Sequence, residues 1–366
     1  MSRVVLLVGD GNHQFVRYLA KYLNLCNGIS VHLLSFTHVK EEANFFDKIH
    51  YFGGGKGASK ISAMLSTFKL CMFFFRYSKS FDVISFQFIR PVYYYLFKLK
   101  ILRGKHNTVA SVWGTDVLSN NINRKKVSYI FEHAKQLTCA TAKVKSEMLN
   151  LLKEHGKISL IKYGLEPLEN IKKLADSQNL CKTNLGIDNS KLVVTLGHNA
   201  SKNNQHIKCI EEIDAGLTSE DLKNIIFIIP LTYGRDEKYV GLIKKAIEKS
   251  KLNVVLFDEF MTDNQVANLR KATDIYINVQ QTDMLSGAMQ EHIYAGNIVI
   301  TGSWLGYEEL KNIGVNLIEI DAFVQLPSKI KENINVRLET KSNVEAIYEL
   351  SSWNNTINGW LDVFFK

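Results

Sequence analysis

Short apolar runs alternate with longer amphipathic runs along the first half of the chain. The first apolar run, at residues 4–9, predicts a β-strand, and in residues 13–24 the apolar side chains recur at helical spacing. This alternation of strand and helix is typical of a doubly wound parallel sheet. Further strands are predicted at residues 29–36, 81–88, 107–114 and 136–141.

The alternation restarts after a polar segment at residues 165–190, which we interpret as a domain junction. In this second half, Thr262 and Gln265 have the spacing of a capping box at the start of a predicted helix. Residues 342–366 carry a broad apolar face and are also predicted to be helical. Strands are predicted at residues 191–197, 224–230, 253–259, 274–280, 297–302 and 316–321.

These elements predict an α/β protein with two Rossmann-like, doubly wound domains that face a central cleft. Residues 1–168 are predicted to form the N-terminal domain and residues 169–341 the C-terminal domain. The helices of residues 342–366 are predicted to pack back towards the N-terminal domain. A length of 366 residues suits two hydrophobic cores. Because ligands bind such sheets at the carboxyl ends of the strands, we expect the functional site in the cleft.

The composition, with 46% hydrophobic and 22% charged residues, indicates a globular protein. The five cysteines are scattered and form no C-x-x-C pair, which argues against a disulfide framework or a zinc site and favours a reducing compartment. No window approaches the roughly 20 apolar residues that a spanning helix needs. We therefore expect a cytoplasmic protein, or one that sits on a membrane without crossing it.

The net charge of +9 allows three interpretations. Nucleic acid is not expected as a partner, because the chain has no DNA- or RNA-binding motif and no dense basic helix. A lysine-rich soluble surface is the second interpretation. The third is the surface of an anionic membrane, because basic and aromatic residues interleave over residues 56–105, although part of this run must also be core. The basic residues there are Lys56, Lys60, Lys69, Arg76, Lys79, Arg90, Lys98, Lys100, Arg103 and Lys105.

The glycine turn after the first predicted strand contains Gly11, Asn12 and His13 but lacks the third glycine of a dinucleotide fingerprint. The loop at residues 197–206 has only one glycine, so a nicotinamide dehydrogenase is disfavoured. Gly11 and Asn12 are predicted to offer backbone amides to a phosphate or an acceptor. His13 is predicted to reach the donor phosphate or the acceptor, and its alternative role is that of a histidine at a helix start.

Two carboxylates, Asp283 and Glu291, flank a Ser-Gly turn that opens a predicted helix. Ser286 is predicted to cap this helix, so that the amides of Gly287 and its neighbour form an anion site at the positive helix end. Glu291 can then accept hydrogen bonds from a ribose, and Asp283 from a second polyhydroxyl group. With Leu285 at the end of the turn, this pattern predicts a nucleotide-sugar site. The alternative is a solvated turn and a charge on the helix face.

The whole chain resembles the two-domain GT-B glycosyltransferases, especially the retaining family-four type. The resemblance rests on the spacing of Asp283 and Glu291 and on the run at residues 291–300, which is similar to the family's E-A-M-A-x-G-x-P-V-V segment. It implies that Glu291 holds the nucleotide ribose and that the first carboxylate contacts the donor sugar. The family has Glu where this chain has Asp283, which leaves the identity of the sugar open.

Residues 112–117 (VWGTDV) and 230–234 (PLTYG) also resemble the lipid-linked fucosamine transferases of bacterial surface polysaccharide synthesis. Residues 196–210 stand where the GT-B family places a basic residue on the diphosphate, so the family resemblance implies this role for Lys202, with Asn199 near the place of the usual arginine. The alternative for Lys202 is a solvated loop lysine. Tyr233 is a candidate for stacking on the base, and the alternative is a core or rim tyrosine. Asp116 is a candidate general base, and the alternative is an aspartate that caps a turn.

The sequence therefore predicts a glycosyltransferase that moves a sugar from a nucleotide diphosphate to a hydroxyl of a lipid-linked bacterial surface glycan, at the inner face of the plasma membrane. No cofactor and no essential metal are expected, because Asp-x-Asp does not occur. Retention is favoured over inversion, which would need a base such as Asp116. The alternatives are a nucleotide-sugar epimerase and a catalytically silent GT-B subunit that binds a partner transferase or the membrane. Tyr307 and Trp304 are expected only to pack against the following helix.

Overall fold

Two separate parallel sheets organise the chain in its computed structural model. The structure describes residues 2–40, 45–52, 60–102, 104, 106–119, 122–152, 158–283, 285–334 and 340–366, without the side chains of residues 60–63. One domain comprises Met1–Gly164 together with Trp353–Lys366, and the other comprises Leu165–Ser352. The predicted α/β class with two doubly wound sheets is confirmed.

The first domain contains a seven-stranded sheet in which every neighbouring pair is parallel. The strand order is β3-β2-β1-β4-β5-β6-β7. In chain order the strands are β1 (Arg3–Gly9), β2 (Ile29–Ser35), β3 (Lys48–Tyr51), β4 (Val83–Gln87), β5 (Thr108–Val112), β6 (Gln136–Cys139) and β7 (Ile158–Leu160).

The central strands of this sheet are nearly continuous apolar runs because helices cover both faces. The helices that follow these strands in the chain are α1 (Gln14–Asn24), α2 (Lys60–Tyr77), α3 (Tyr94–Lys98), α4 (Thr115–Leu118), α5 (Arg124–His133) and α6 (Ala142–Leu151). Within the described ranges, no helix has both the length and the apolar character needed to cross a membrane.

The second domain contains a six-stranded parallel sheet in the order β10-β9-β8-β11-β12-β13. All six strands lie within the predicted runs. They are β8 (Leu192–Leu196), β9 (Ile225–Pro230), β10 (Val254–Phe257), β11 (Ile275–Asn278), β12 (Ile298–Gly302) and β13 (Ile318–Ile320).

Ten helices of the described second domain lie between and around these strands. The predicted capping box is confirmed, since Thr262 Oγ1 accepts from the amide of Gln265 at 3.3 Å and Gln265 Oε1 accepts from the amide of Thr262 at 2.9 Å. The helices are α7 (Glu166–Lys173), α8 (Gln178–Asn184), α9 (His206–Gly216), α10 (Ser219–Leu222), α11 (Glu237–Lys249), α12 (Asp263–Ala272), α13 (Gly287–Tyr294), α14 (Glu308–Asn312), α15 (Leu326–Asn333) and α16 (Lys341–Ser351).

Each sheet has a point at which the strand order reverses, and this point determines where a ligand can bind. In the second domain, β8 lies beside β11, while β9 and β10 extend to the other side. The loops that leave β8 and β11 therefore diverge at the carboxyl ends of these strands. The predicted donor-binding residues lie on these two loops, on the loop after β9 and at the start of α13.

The domain boundaries differ from the predicted ones. The first domain ends at Gly164 rather than at residue 168, and α16 belongs to the second domain. Ser352 has an extended conformation and ends α16, and the last helix, α17 (Trp353–Phe365), belongs to the first domain. The sequence analysis assigned residues 342–366 to the same domain, because the sequences of both α16 and α17 have apolar faces. Of these two helices, only α17 packs with the N-terminal domain as predicted.

A close backbone approach fastens α17 to the first domain. A Cβ atom on Gly164 would lie 2.4 Å from Trp353 Cγ and 2.7 Å from Trp353 Cα, so no side chain fits at Gly164. Trp353 and Trp360 are both fully buried, and the indole nitrogen of Trp360 donates to the carbonyl of Lys162 at 3.2 Å.

We predict that Gly164→Ala lowers the free energy of unfolding by about 1–3 kcal/mol, because the new methyl group overlaps the buried indole and the Cα of Trp353. Urea unfolding measures this change. Gly241→Ala in α11 is the matched control: a Cβ there meets nothing within 4 Å, and we expect a gain of about 0.5–1 kcal/mol. Equal effects of the two substitutions would contradict the packing argument.

Candidate functional site

The turn after β11 leads into α13, and Ser286 is the capping residue there, as predicted. Its backbone is extended, and its hydroxyl accepts from the amide of Met289 at 3.3 Å. The first amides of a helix have no carbonyl partner within it, so they carry partial positive charge. A Cβ on Gly287 would come within 3.9 Å of Glu291 Oε1, so this glutamate reaches back along the helix towards its start.

Glu291 forms a buried ion pair that the sequence analysis did not anticipate. Its Oε2 accepts from Arg270 Nε at 2.9 Å, and Arg270 comes from the last turn of α12. Glu291 is only 8% exposed, so the alternative of a solvated charge on the helix face is wrong for this residue. An arginine at that point of a helix looks in sequence like an ordinary C-terminal charge, which explains why it was missed.

His292 completes the support of Arg270. Its Nε2 lies 2.9 Å from Arg270 Nη1, and its Nδ1 lies 2.9 Å from the side-chain amide nitrogen Nδ2 of Asn297. The same amide nitrogen donates to the carbonyl of Arg270 at 2.8 Å, and the imidazole stacks on Tyr276 with the ring centres 3.9 Å apart. Burial, together with the charge of Arg270, lowers the pKa of His292 well below its usual value. His292 is therefore neutral at physiological pH.

Asp283, the other predicted carboxylate, is held by a tyrosine. The hydroxyl of Tyr307 donates to Asp283 Oδ2 at 2.5 Å and accepts from the side-chain amide of Asn278 at 2.7 Å. Burial and the neighbouring Asp283 raise the pKa of Tyr307. The sequence analysis expected Tyr307 only to pack against a helix, whereas its hydroxyl orients the carboxylate.

Asn203 joins the loop after β8 to the loop after β11. Its side-chain amide donates to Gln280 Oε1 at 2.7 Å and to the carbonyl of Thr282 at 2.9 Å, and it accepts from the amide of Thr282 at 3.1 Å. The indole of Trp304 donates to the carbonyl of Gln280 at 2.8 Å. The segment that carries Asp283 is therefore fixed from both sides.

The loop after β8 carries the predicted phosphate-binding residues Asn199 and Lys202. Asn199 Oδ1 accepts from the amide of Ser201 at 2.9 Å and from Asn204 Nδ2 at 2.8 Å, so this side chain shapes the loop. The ammonium of Lys202 lies 2.8 Å from Asp236, and its side chain is 64% exposed. A solvated pair of this kind contributes little to stability, so Lys202 can exchange its partner for another anion.

Two further rings lie in the same region. The imidazole of His198 is 6.2 Å from the ring of Tyr233 and places its Nδ1 3.4 Å from the hydroxyl of Tyr276. Burial, with a contribution from the Arg270 charge, lowers the pKa of His198 to about 4. Burial raises the pKa of the Tyr233 hydroxyl, as does the Glu291 carboxylate, although half of the Tyr233 side chain is exposed.

The structure thus brings together most of the predicted donor-binding set within the second domain. Asp283, Leu285, Ser286, Gly287 and Glu291 lie on the β11–α13 segment. Leu285 is partly buried and packs against the apolar cluster under α13. Among the residues that the structure describes, no three His, Cys, Asp or Glu side chains are grouped so that they could hold a metal ion.

In the first domain, Asp116 has the structural role that the sequence analysis left as the alternative. Its carboxylate accepts from the amides of Ile89 at 2.9 Å, Trp113 at 3.0 Å and Gly114 at 2.8 Å, and it is 4% exposed. Burial raises the pKa of Asp116, while these three amides lower it. The carboxylate ties the loop after β4 to the loop after β5, and this geometry does not favour a general base.

The polar groups of the turn after β1 also form hydrogen bonds with neighbouring residues of the same segment. His13 caps α1 through its Nδ1, which accepts from the amide of Phe15 at 3.3 Å. The amide of Asn12 donates to Asp10 at 3.0 Å, so it is not available to a phosphate as predicted. Gly11 is required sterically, because a Cβ there would lie 2.5 Å from Leu33 Cδ2.

Three solved structures share the fold of this chain at low sequence identity. Sucrose-phosphate synthase from Thermosynechococcus elongatus is 11% identical, with a TM-score of 0.70 over 99% of this chain and 98% of the other. A glycosyltransferase from Rickettsia africae is 14% identical, with a TM-score of 0.72 over 99% and 98%. HepE from Anabaena, in complex with UDP and glucose, is 13% identical, with a TM-score of 0.68 over 98% of both chains.

These likenesses extend over nearly the whole of this chain and of its neighbours, so they identify an α/β protein with two Rossmann-like domains. More specifically, the chain has the GT-B fold. No protein-family model matches the sequence, and no curated protein matches it either.

We predict that Arg270→Met lowers the free energy of unfolding by about 3–5 kcal/mol, because it leaves the Glu291 carboxylate buried without its partner. Urea unfolding is the measurement. The double variant Arg270→Met/Glu291→Gln should recover part of the loss, since it removes the uncompensated charge. Lys329→Met, which breaks the solvated pair with Glu332, is the control and should cost less than about 1 kcal/mol. A stable Arg270→Met single variant would contradict this account.

We also predict that the protein loses stability as the pH falls from about 6.5 towards about 4. Burial lowers the pKa of His198 to about 4 and that of His206 to about 3, whereas in the unfolded chain both protonate near pH 6.5. The unfolded state therefore binds more protons in this window, so stability is complete above it and declines within it. Urea unfolding at about pH 7 and about pH 5 checks this, and His198→Asn should show the smaller decline. Equal stability at both pH values would refute the prediction.

Proposed function

We propose that this protein is a glycosyltransferase that moves a sugar from a nucleotide diphosphate to a hydroxyl acceptor. The observation that carries the proposal is the β11–α13 segment. It presents Asp283 before the start of a helix and a buried Glu291 just past its first turn. These groups lie at the point of strand reversal, where doubly wound sheets bind ligands.

In this proposal each part of the donor has a partner. Glu291, oriented by Arg270, accepts from the ribose hydroxyls, while Asp283, oriented by Tyr307, accepts from the sugar. The diphosphate lies at the amino end of α13, where the free amides and Lys202 stabilise the charge that develops on it as the glycosidic bond breaks. Tyr233, half exposed beside His198, offers a ring to the base.

The acceptor and the stereochemistry follow from the resemblance to surface-polysaccharide transferases. We propose a lipid-linked bacterial glycan as the acceptor, at the inner face of the plasma membrane, without a cofactor or an essential metal. Retention is the favoured outcome, with the leaving phosphate assisting the incoming hydroxyl, because Asp116 is occupied by three backbone amides. The solved complex of the similar HepE with UDP and glucose supports a donor of this kind.

We predict that one of UDP, GDP, TDP, ADP and CMP binds to the wild type and that Glu291→Gln weakens this binding about tenfold or more. The substitution keeps the shape of the side chain but removes the charge that accepts from the ribose hydroxyls and that pairs with Arg270. Isothermal titration calorimetry measures both affinities. Glu308→Gln, which alters a solvated carboxylate on α14, is the control and should bind like the wild type.

The outcomes separate this proposal from its rivals. Binding of no nucleotide would refute the donor site and leave a catalytically silent subunit. Conversion of a nucleotide-sugar without any acceptor would identify an epimerase instead. Where transfer occurs, NMR of the product shows whether the anomeric configuration of the sugar is retained.

A further inference from the structure

Helix α2 in the first domain exposes large apolar side chains that no described part of the chain covers. Phe68 and Phe75 are 64% and 76% exposed, and Met64, Leu65 and Met72 are at least half exposed. On the other side of the helix, Leu70, Phe73 and Phe74 are buried in the core of the first domain. The helix is thus apolar on both sides, which is unusual for a helix at a protein surface.

The exposed residues form one continuous face. At about 100° per residue, Met64, Leu65, Phe68, Met72 and Phe75 fall within an arc of about 100°, opposite the three buried residues. Lys69 and Arg76 are exposed and lie along one edge of this arc. We call these five apolar residues with the two basic ones the α2 face.

The composition of α2 indicates what covers this face. The helix contains basic residues but no Asp or Glu, and the apolar residues of the α2 face are Met, Leu and Phe. Apolar side chains flanked by Lys and Arg match the boundary between the acyl chains and the anionic headgroups of a bilayer. An interface between two identical copies would place these like charges close together, which opposes association.

We infer that the α2 face is the surface by which this protein lies on an anionic membrane. The 18 residues of α2 span about 27 Å, so the helix can rest along the interface with Phe68 and Phe75 inserted between the headgroups. This inference rests on the proposed function in one respect: access to a lipid-linked acceptor is the reason for the protein to lie on a membrane.

The inference refines the sequence prediction for residues 56–105. Tyr93 and Phe97 of this run are buried in the core, as expected for part of it, and Arg90 lies over the ring of Phe36. Lys56, Arg103 and Lys105 lie outside the described residues, as does the side chain of Lys60. The described part therefore assigns the membrane contact to α2 rather than to the whole run.

We predict that the wild type floats with vesicles of phosphatidylcholine and phosphatidylglycerol and binds weakly to phosphatidylcholine alone. Phe68→Asn/Phe75→Asn should weaken binding to the anionic vesicles about tenfold or more, because two inserted rings are lost. Lys69→Gln/Arg76→Gln should weaken it about 30-fold and reduce its salt dependence. Phe260→Asn is the matched control, because Phe260 is an 81% exposed phenylalanine of the second domain, and it should bind like the wild type.

Each outcome supports or overturns the inference. The inference is overturned if the wild type does not bind anionic vesicles. It is also overturned if the variants of the α2 face bind these vesicles as tightly as the wild type. A wild-type dimer in sedimentation that Phe68→Asn/Phe75→Asn dissociates would also overturn it and assign the face to a second copy. The thermal midpoint and the nucleotide affinity of the variants should match those of the wild type. If the wild type binds anionic vesicles but no nucleotide, the proposed function is refuted and the inference about the α2 face is supported.

Discussion

The candidate site depends on the ion pair of Arg270 and Glu291. Removing two charges from water is costly, and their attraction compensates for this only if the remaining hydrogen-bonding groups also find partners. His292 meets a second nitrogen of the guanidinium, and Asn297 meets the Arg270 carbonyl. The pair thereby fixes α12 against α13 and gives the Glu291 carboxylate one orientation at the start of the helix.

The two domains use equivalent loops in different ways. In the second domain, Asn203 positions the loop after β11, and Tyr307 orients the Asp283 carboxylate, both beside the point of strand reversal. In the first domain, the Asp116 carboxylate accepts from the backbone amide of Gly114, and the backbone amide of Asn12 donates to the Asp10 carboxylate. Low-dielectric networks of either kind are rigid when every member is satisfied. The two domains differ in which groups remain for a ligand, and this difference is why our proposal places the donor in the second domain.

Sequence patterns predicted the central strands of both sheets because buried parallel strands are continuous apolar runs. Strands β3 and β7 were missed because they are short edge strands whose residues are mostly exposed or half-buried, so no such run marks them. Ser286 was found from local capping chemistry. Arg270 and Tyr307 were not found, because each acts on a carboxylate more than 20 residues away, and such a contact exists only after folding.

The chain enters the second domain after Gly164 and leaves it after Ser352, so this domain is one uninterrupted segment inserted into the first. The first domain is assembled from two distant pieces of sequence, and Trp353 and Trp360 fill its core from the second piece. During synthesis, the second domain can therefore complete its own core while the first still lacks two of its largest buried side chains. The packing of the first domain is complete only when α17 has joined it, so the two cores become available at different stages of synthesis.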